Sequence, residues 1–488
     1  MVLRVLGVVA ALVGAGPDGG ARSYCPDGAA AEGAEARGVA AECMAAASDW
    51  TTAARLYERV VAEEPTGPLV ERSLVALVAG YRSTAQFEQA AQAAEELVTR
   101  YPRSVESPEL LIEAAWWRVG LGQRAQADAD FERYAALFGR SDPARAAEVF
   151  WARLEIFKEN DAETQAHLGE YLRRYGKVGG ADRRIVAEVR LGQIEWRQSC
   201  EKGLLADLCM DIDRYYVTPD CVYYRPKRAS FLVEKPRPRT PRYCGGDYPR
   251  FTFFPRIPRL AEAAQRRFAA VLRVEGAVAA PADQPERGAA LAEALGLARM
   301  YRADRRLVEV VERGEPPAGL EFMADVSPQQ QRRRAESMRR YGAHVAATRR
   351  DAQAVAQEYA ELARGGPAWE FMASWRVAVL HESVGRSLER VEIPAALDGR
   401  YYEQRTYCAE FEPATAPSFA AADTEYQRCT ALSLAGDRFA VQPLCEAAMQ
   451  LRDPVHYPPP IEFAGEPVNS ASRPESLGLQ PFARWSED

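Results

Sequence analysis

The chain has 488 residues, of which 47% are hydrophobic and 27% are charged, and its formal net charge is −7. This balance is that of a folded chain long enough for several domains, which excludes an intrinsically disordered protein. The acidic total argues against a protein that binds nucleic acid through general positive charge. The sequence is rich in Ala, Glu, Arg and Leu and has few runs of β-branched residues. This composition predicts an all-α fold.

The N-terminal residues 1–21 differ in composition from the rest of the chain. Arg4 precedes an apolar run from Val5 to Val13, and mostly small residues follow as far as Ala21. This layout is typical of a secretory signal peptide, and a short hydrophobic first helix is the alternative. Neither this run nor any later one is long and apolar enough to span a bilayer. We therefore expect an exported, periplasmic or outer-membrane-associated protein with no transmembrane segment in the mature chain.

The chain contains nine cysteines, and this number is typical of a protein with disulfides in an oxidising compartment. None has CxxC spacing and there are only four histidines, so a zinc site or a redox motif is disfavoured. Sequence alone does not fix the connectivity, and an odd number leaves at least one thiol outside the intrachain pairs. Local pairs are the simplest expectation: Cys25 with Cys43, Cys200 with Cys209, Cys221 with Cys244, and Cys429 with Cys445.

A period of 37 residues organises the N-terminal segment 22–199. Packing residues recur at this spacing: Tyr57, Ala94, Phe131 and Leu168. Helix-breaking residues recur at the same spacing: Pro65, Pro102, Gly139 and Gly176. The apolar residues between them follow the i, i+3, i+4, i+7 pattern of amphipathic helices. A fixed period of roughly 20–50 residues made of paired helices indicates a solenoid with an extended concave surface.

This pattern resembles the tetratricopeptide repeat over roughly residues 35–198, with a slightly lengthened unit. In the first unit, Trp50, Ala53 and Tyr57 lie on the second helix and Pro65 ends it. The resemblance implies a helical-hairpin solenoid, and surfaces of this kind usually bind other proteins. The residues of the pattern themselves are expected to form the core.

Residues 200–256 are expected to form a Cys-rich, basic insert without helical periodicity. From Val222 to Leu260, ten Lys or Arg residues stand against two acids, a net charge of +8. Aromatic residues interleaved with fixed cations suit an acidic protein, an anionic glycan or a lipid headgroup. The alternative is a disulfide-stapled loop whose basic residues are solvated. The candidate partner-binding residues are Tyr223, Tyr224, Arg225, Lys227, Arg228, Arg237, Arg239, Arg242, Arg250, Phe253 and Phe254.

Helical periodicity returns in the region 257–452, with short helices expected near 260–275, 285–301 and 303–313. Ser327 and Pro328 predict the start of a long helix that ends at Gly365. Its apolar stripe is expected to pack inside the array, with a coiled coil as the alternative. The stripe is Met338, Tyr341, Val345, Thr348, Ala352, Val355, Tyr359 and Leu362. The basic runs 332–334 and 339–340 are expected to form a solvated face.

Further helices are expected around Trp369, Cys429 and Cys445, followed by an extended, proline-rich tail over 453–488. A second resemblance rests on these segments: Cys200–Cys209, Leu320–Phe322, the long helix after Ser327, Tyr407–Cys408, Tyr426–Cys429, Leu444–Glu446, Asp453–Pro454 and Tyr457–Pro458. Together they are similar to exported tetratricopeptide proteins of gliding bacteria, the adventurous gliding motility repeat-protein class. The resemblance implies a periplasmic or outer-membrane-associated scaffold, in a motility or envelope assembly complex.

The sequence contains no catalytic motif in the structural setting that such a motif requires. Gly14, Gly16 and Gly19 fit GxGxxG, but no βαβ unit surrounds them. P-loop, HExxH and GxSxG motifs are absent. Carboxylate pairs such as Glu95 and Glu96 are expected on solvated helix faces. We therefore predict a non-enzymatic scaffold with protein partners in the cell envelope and no cofactor, metal or nucleic acid. The alternatives are a protein that binds an anionic cell-wall or outer-membrane glycan and, third, a cell-wall enzyme.

Overall fold

A computed structural model describes residues 25–26, 32–212, 243–244, 251–323, 327–397, 400–434, 444–446, 448–449 and 456. The predicted signal peptide and nearly all of the predicted tail lie outside these residues. The chain divides into two compact units: unit 1 is Met1–Ile194 with Arg273–Leu295, and unit 2 is Glu195–Leu272 with Gly296–Asp488. The finer segment boundaries proposed from sequence stay a prediction.

Residues 34–198 fold into successive helices joined by short turns. In chain order they are α1 (Ala34–Ala46), α2 (Trp50–Glu63), α3 (Pro68–Ser83), α4 (Phe87–Arg100), α5 (Ser107–Gly120), α6 (Arg124–Phe138), α7 (Pro143–Ala152), α8 (Leu154–Phe157), α9 (Asp161–Tyr175) and α10 (Ala181–Gln198). From α1 to α7, each helix packs on the next one in sequence. The second helices of the pairs, α2, α4, α6 and α9, begin at intervals of 37 residues.

The structure confirms the predicted period as a packing rule. The four packing residues, Tyr57, Ala94, Phe131 and Leu168, are all buried. Each second helix ends one or two residues before the predicted breaker, as α6 does at Phe138 before Gly139. Polar side chains cap several of these helices: Asn160, for example, accepts hydrogen bonds from the backbone N–H groups of Ala162 and Glu163. Unit 1 is therefore an array of helical hairpins.

A polar contact repeated at the same spacing joins neighbouring hairpins. Glu58, Glu95 and Glu132 lie 37 residues apart on the second helices. Each accepts a hydrogen bond from the next pair: Glu58 from Tyr81 of α3, Glu95 from Arg118 of α5, and Glu132 from Arg153, directly after α7. The expectation of a solvated Glu95 is therefore wrong, because the buried Arg118 binds both its carboxylate oxygens, at 2.8 and 3.0 Å.

Asp130 on α6 lies beside this contact and is only 6% exposed. Burial raises the pKa of its carboxyl to about 7; Glu95 adds to the shift, while Arg118 and Arg133 oppose it. The Oδ2 atom of Asp130 has no hydrogen-bond partner within the described residues. Below about pH 7 the protonated carboxyl is therefore favoured over the carboxylate at this position.

The second stretch of unit 1, Arg273–Leu295, binds the turn between α9 and α10. Arg287 donates to both carboxylate oxygens of Asp182 at 2.6 Å, and both side chains are largely buried. The turn contains Gly180 at φ +100°, where a side chain would meet Arg287 and Asp182. Glycine is therefore required there. This contact attaches the stretch Arg273–Leu295 to the turn that follows α9.

After α10, the described residues contain three strands and six α-helices of nine residues or more, besides two short 3-10 helices and the helical residues 444–446 and 448–449. The strands and the six α-helices are β1 (Leu204–Leu205), β2 (Leu208–Ile212), β3 (Phe251–Phe253), α11 (Pro258–Val274), α12 (Pro285–Arg313), α13 (Pro328–Ala363), α14 (Pro367–Glu389), α15 (Tyr401–Ala409) and α16 (Glu412–Leu434). In unit 2, α14 packs against both α13 and α16 and is buried on nearly all sides. Its Trp375 and Val379 share a core with Tyr426 of α16.

Two expectations for this part are corrected. The predicted helices 285–301 and 303–313 are one helix, α12, because neither Gly nor Pro interrupts the chain between Tyr301 and Ala303. The insert, expected to be irregular, contains an antiparallel sheet in the order β1-β2-β3, with Met210 opposite Phe253. Strands of two to five residues are too short to show a period of two.

The long helix α13 starts as predicted, with the Ser327 hydroxyl accepting from the Gln330 N–H. Its stripe is buried as predicted from Tyr341 to Leu362. Met338 is an error in that stripe: it is 37% exposed, and Ser337 is buried in its place. The helical period explains the exchange, because Ser337 lies one turn before Tyr341 on the same face.

Three of the four predicted disulfides are present: Cys25–Cys43, Cys200–Cys209 and Cys429–Cys445. The fourth is wrong, because Cys244 is joined to Cys408, 164 residues away, and Cys221 lies outside the described residues. Backbone contacts explain the pairing. The N–H of Cys244 donates to the carbonyl of Val391 at 3.0 Å, and Tyr243 pairs with Glu392, close to α15. A preference for local pairs considers loop length alone and misses such contacts.

A buried polar cluster in unit 2 holds the turn between β1 and β2. Ala206 and Asp207 form this turn with φ of 46° and 67°, a conformation that side chains disfavour. The carbonyl of Ala206 accepts from Arg376 at 2.8 Å, and that of Asp207 accepts from Arg256 at 2.9 Å. Burial lowers the pKa of Arg256 to about 10, and its guanidinium lies 3.6 Å from the ring centre of Trp196.

At the centre of the cluster, Asp304 of α12 and Arg376 of α14 form an ion pair with no solvent exposure. Asp304 accepts from the Nε of Arg376 at 2.7 Å and from the Tyr359 hydroxyl at 2.6 Å. Burial raises the pKa of Asp304, and Arg376 opposes that shift. Burial alone would lower the pKa of Arg376, but Asp304 and Tyr359 outweigh burial and raise it. The guanidinium therefore stays charged and depends on Asp304 as its counter-ion.

Candidate protein-binding face

The first helices of the hairpins present a face that the second helices do not cover. On α3 and α5 this first-helix face is formed by residues at equivalent positions, 37 apart. They are Arg72, Val75, Ala76 and Ala79 on α3, and Glu109, Ile112, Glu113 and Trp116 on α5. All eight are half-buried or exposed, whereas the core residues on the opposite sides of these helices are buried.

A groove of about 400 Å³ opens on this face between α3 and the turn before α5. Val75, Ala76 and Ala79 form its apolar wall along α3. Val105 faces them from the turn and is 90% exposed, although it is a large apolar residue. A solvated valine next to an apolar wall is typical of a surface that a partner covers.

Hydrogen bonds fix the turn that carries Val105. The Tyr101 hydroxyl accepts from the N–H of Gly67 at 2.8 Å and donates to the carbonyl of Gly67 at 3.1 Å. The Ser107 hydroxyl donates to the carbonyl of Tyr101 at 2.7 Å. Val105 is therefore held in place before any partner binds, which lowers the entropic cost of association.

Ion pairs connect the first helices and engage Glu109 and Glu113 of the face. Arg82 of α3 binds Glu113 of α5 at 3.0 Å, and Arg145 of α7 binds Glu109 of α5 at 2.8 Å. Such exposed pairs stabilise the fold by only about 0–1 kcal/mol each. These two glutamates are therefore paired, whereas Arg72 is exposed at the groove beside the apolar stripe. Trp116 extends that stripe and packs edge-to-face against Phe131, with the two ring centres 5.6 Å apart.

The chemistry of this face suits recognition of a peptide or helix and offers no reacting group. The one histidine in the sequence of unit 1, His167, is a core residue whose Nε2 lies 3.0 Å from the carbonyl of Phe150. Burial lowers the pKa of His167 to about 4. Within the described ranges, no three His, Cys, Asp or Glu residues are grouped to hold a metal ion. In the same ranges, no helix has the length and apolarity to cross a bilayer.

The predicted partner-binding residues of the insert are only partly described. Phe253 lies in β3, half-buried against the core of unit 2, and the N–H of Phe254 donates to the carbonyl of Cys209 at 2.8 Å. The remainder lie outside the described residues: Tyr223, Tyr224, Arg225, Lys227, Arg228, Arg237, Arg239, Arg242 and Arg250. Their role as a contact site stays a prediction.

Sequence reasoning did not single out the first-helix face, because it treated every residue of the repeats as core. A signal was present in the period itself. Ile112 follows Val75 by 37 residues, and Trp116 follows Ala79 by the same interval. None of these four residues is among the fully buried positions of its helix. These residues keep the period but are only partly buried, so they border the core and also contribute to the exposed face.

No known protein-family profile matches the chain. No curated protein sequence matches it either. Among solved structures, it is similar to a tetratricopeptide repeat protein from Parabacteroides merdae at 10% identity and a TM-score of 0.26, covering 73% of this chain and 98% of that one. It is also similar to yeast Tom70 at 9% identity and a TM-score of 0.21, covering 87% of this chain and 82% of that one.

The class of the protein follows from the helix pairs of unit 1 themselves. Consecutive helical hairpins with a 37-residue stride, a buried packing residue in each second helix and breakers at the same spacing define a repeat protein. The chain is therefore an all-α, tetratricopeptide-like repeat protein, and its insert contributes a small sheet.

Proposed function

We propose that the protein is a non-enzymatic scaffold that binds other proteins of the cell envelope through the first-helix face of its repeats. The observation that carries the proposal is the groove in which exposed Val105 faces the apolar wall of α3. A helix or extended segment with an apolar stripe fits such a groove.

The envelope setting is supported by the leader-like residues 1–21 and by four disulfides within the described residues. Disulfides persist in oxidising compartments such as the periplasm. The likeness of the C-terminal motifs to repeat proteins of gliding bacteria favours an assembly complex of the envelope or of its motility machinery. Periplasmic location and motility both form part of this proposal.

Replacing Ala76 by Arg is expected to weaken binding of the native envelope partner by about tenfold or more, since a long charged side chain then occupies the groove. The affinity is measured by titration of the partner recovered with the wild-type chain. Gln89→Arg is the matched control: Gln89 is exposed on the second helix α4 and gains the same charge. Equal affinity for all three chains, or equal loss in both variants, would overturn the proposal.

A further inference from the structure

The first turns of α13 contain five arginines, and three of them line a groove. Arg332, Arg333 and Arg340 form one side of a groove of about 550 Å³, and the segment 319–321 forms the other. Within the described residues, no acidic side chain pairs with Arg332 or Arg340. Two fixed cations therefore face this groove without a counter-ion.

A second groove, of about 650 Å³, is lined by the next residues of the same segment. Phe322 and Tyr407 contribute buried rings, while Met323 and Tyr402 are 40% and 83% exposed. Among the described residues of unit 2, the large apolar side chains that are exposed are Leu204, Met323, Met338 and Tyr402. Two of these four, Met323 and Tyr402, therefore line the groove formed by the segment that also borders the arginines.

Hydrogen bonds hold the two grooves side by side. The N–H of Glu321 donates to the Ser337 hydroxyl at 2.9 Å, and the Nε of Arg334 donates to the carbonyl of Phe322 at 3.0 Å. These contacts fix residues 319–323 along α13, so that Gly319 and Glu321 border the arginine groove while Phe322 and Met323 border the apolar one.

The charge of this patch is opposite to that of the whole chain. Arg332, Arg333, Arg334, Arg339, Arg340 and Arg400 stand against Glu321, Glu336, Glu403 and Glu410, a balance of +2, whereas the chain carries −7. Guanidinium groups bind phosphate oxygens in a bidentate geometry. Exposed tyrosine and methionine beside such cations suit the boundary between headgroups and acyl chains.

We propose that this arginine–methionine–tyrosine patch docks the protein on a membrane surface that contains anionic phospholipid. The guanidinium groups bind lipid phosphates, and Met323 and Tyr402 insert between the headgroups. A soluble anionic glycan would use the arginines but would gain nothing from the apolar groove, so the observations favour lipid. This inference is separate from the binding of proteins by the first-helix face.

The test is co-sedimentation of the full chain with phosphatidylcholine vesicles, with and without about one-third phosphatidylglycerol. Each basic residue near an anionic surface contributes roughly fivefold to partitioning at low salt. Arg332→Gln/Arg340→Gln is therefore expected to weaken binding to the anionic vesicles by roughly 25-fold, and Met323→Ser/Tyr402→Ser by several-fold. The control, Arg103→Gln/Arg140→Gln, removes the same charge from exposed positions in unit 1 and should bind like the wild type.

All four chains share the apolar residues 1–21, so a difference between them reports on the patch. The proposal is overturned if the wild type binds both vesicle types equally, or if the control loses as much binding as the arginine variant. It is also overturned if soluble dextran sulfate competes fully while Met323→Ser/Tyr402→Ser binds normally, because a polyanion site then explains the data without lipid.

Discussion

Replacing Asp304 by Asn is expected to lower the free energy of unfolding by about 3–5 kcal/mol. The substitution keeps the shape of the side chain but removes the counter-ion of Arg376, which has no solvent exposure. A buried guanidinium without a counter-ion is far more costly than the pair. The same guanidinium binds the carbonyl of Ala206, so the strained turn between β1 and β2 should loosen as well.

Denaturant unfolding followed by tryptophan fluorescence measures this loss, because Trp196 and Trp375 are both buried in unit 2. The neighbouring residue on α12 supplies the control. Arg305 forms an exposed pair with Glu309 at 2.8 Å, so Arg305→Ala should change the free energy by less than about 1 kcal/mol. If Asp304→Asn is no more destabilising than Arg305→Ala, the cluster does not hold unit 2 together as described.

Replacing Asp130 by Asn is expected to stabilise the protein at high pH and to leave it nearly unchanged at low pH. Burial, with Glu95 nearby, raises the pKa of Asp130 to about 7 in the folded chain, above the usual value of 3.8. The folded state therefore binds a proton that the unfolded state releases between about pH 4 and 7. The free energy of unfolding of the wild type should fall across this window as the pH rises.

Asn mimics the protonated carboxyl and removes this dependence. At pH 8 the variant should be more stable than the wild type by roughly 2–4 kcal/mol, and at pH 4 the two should agree within about 1 kcal/mol. Denaturant unfolding at a series of pH values measures both. Asp128→Asn is the control, since Asp128 is paired with Arg153 and its loss should not stabilise. If the free energy of unfolding of Asp130→Asn depends on pH as steeply as that of the wild type, then ionisation of Asp130 does not destabilise the folded protein.

The fold of unit 1 could be predicted because its packing is periodic. The position of a residue such as Phe131 follows from local helix geometry and from the equivalent contact one hairpin earlier. The repeat therefore gives several independent indications of each packing position. The contacts that join hairpins were less visible. Glu95 looks like any solvated acid in sequence, and only the position of α5 brings the buried Arg118 to it.

Unit 2 was harder to anticipate because it depends on contacts between distant residues. Cys244 and Cys408 form a disulfide although they are 164 residues apart in the sequence. Asp304 and Arg376 form an ion pair from two different helices. No period links such residues, so nothing in the sequence marks them as partners. The same reasoning applies to the first-helix face. Val105 could not be identified as a groove residue from sequence, because only the fold of the turn places it opposite Val75.

The binding role of the first-helix face is tested most directly by photo-crosslinking in cells that make the protein. A photoreactive residue is placed at Ala79 or Trp116 on the first helices, and at Gln89 or Gln126 on the second helices, which are exposed and also 37 residues apart. We expect one crosslinked protein partner from both first-helix positions, lost in Ala76→Arg, and none from the second-helix positions. Crosslinks of equal yield from both sets, or from the second helices alone, would contradict the account.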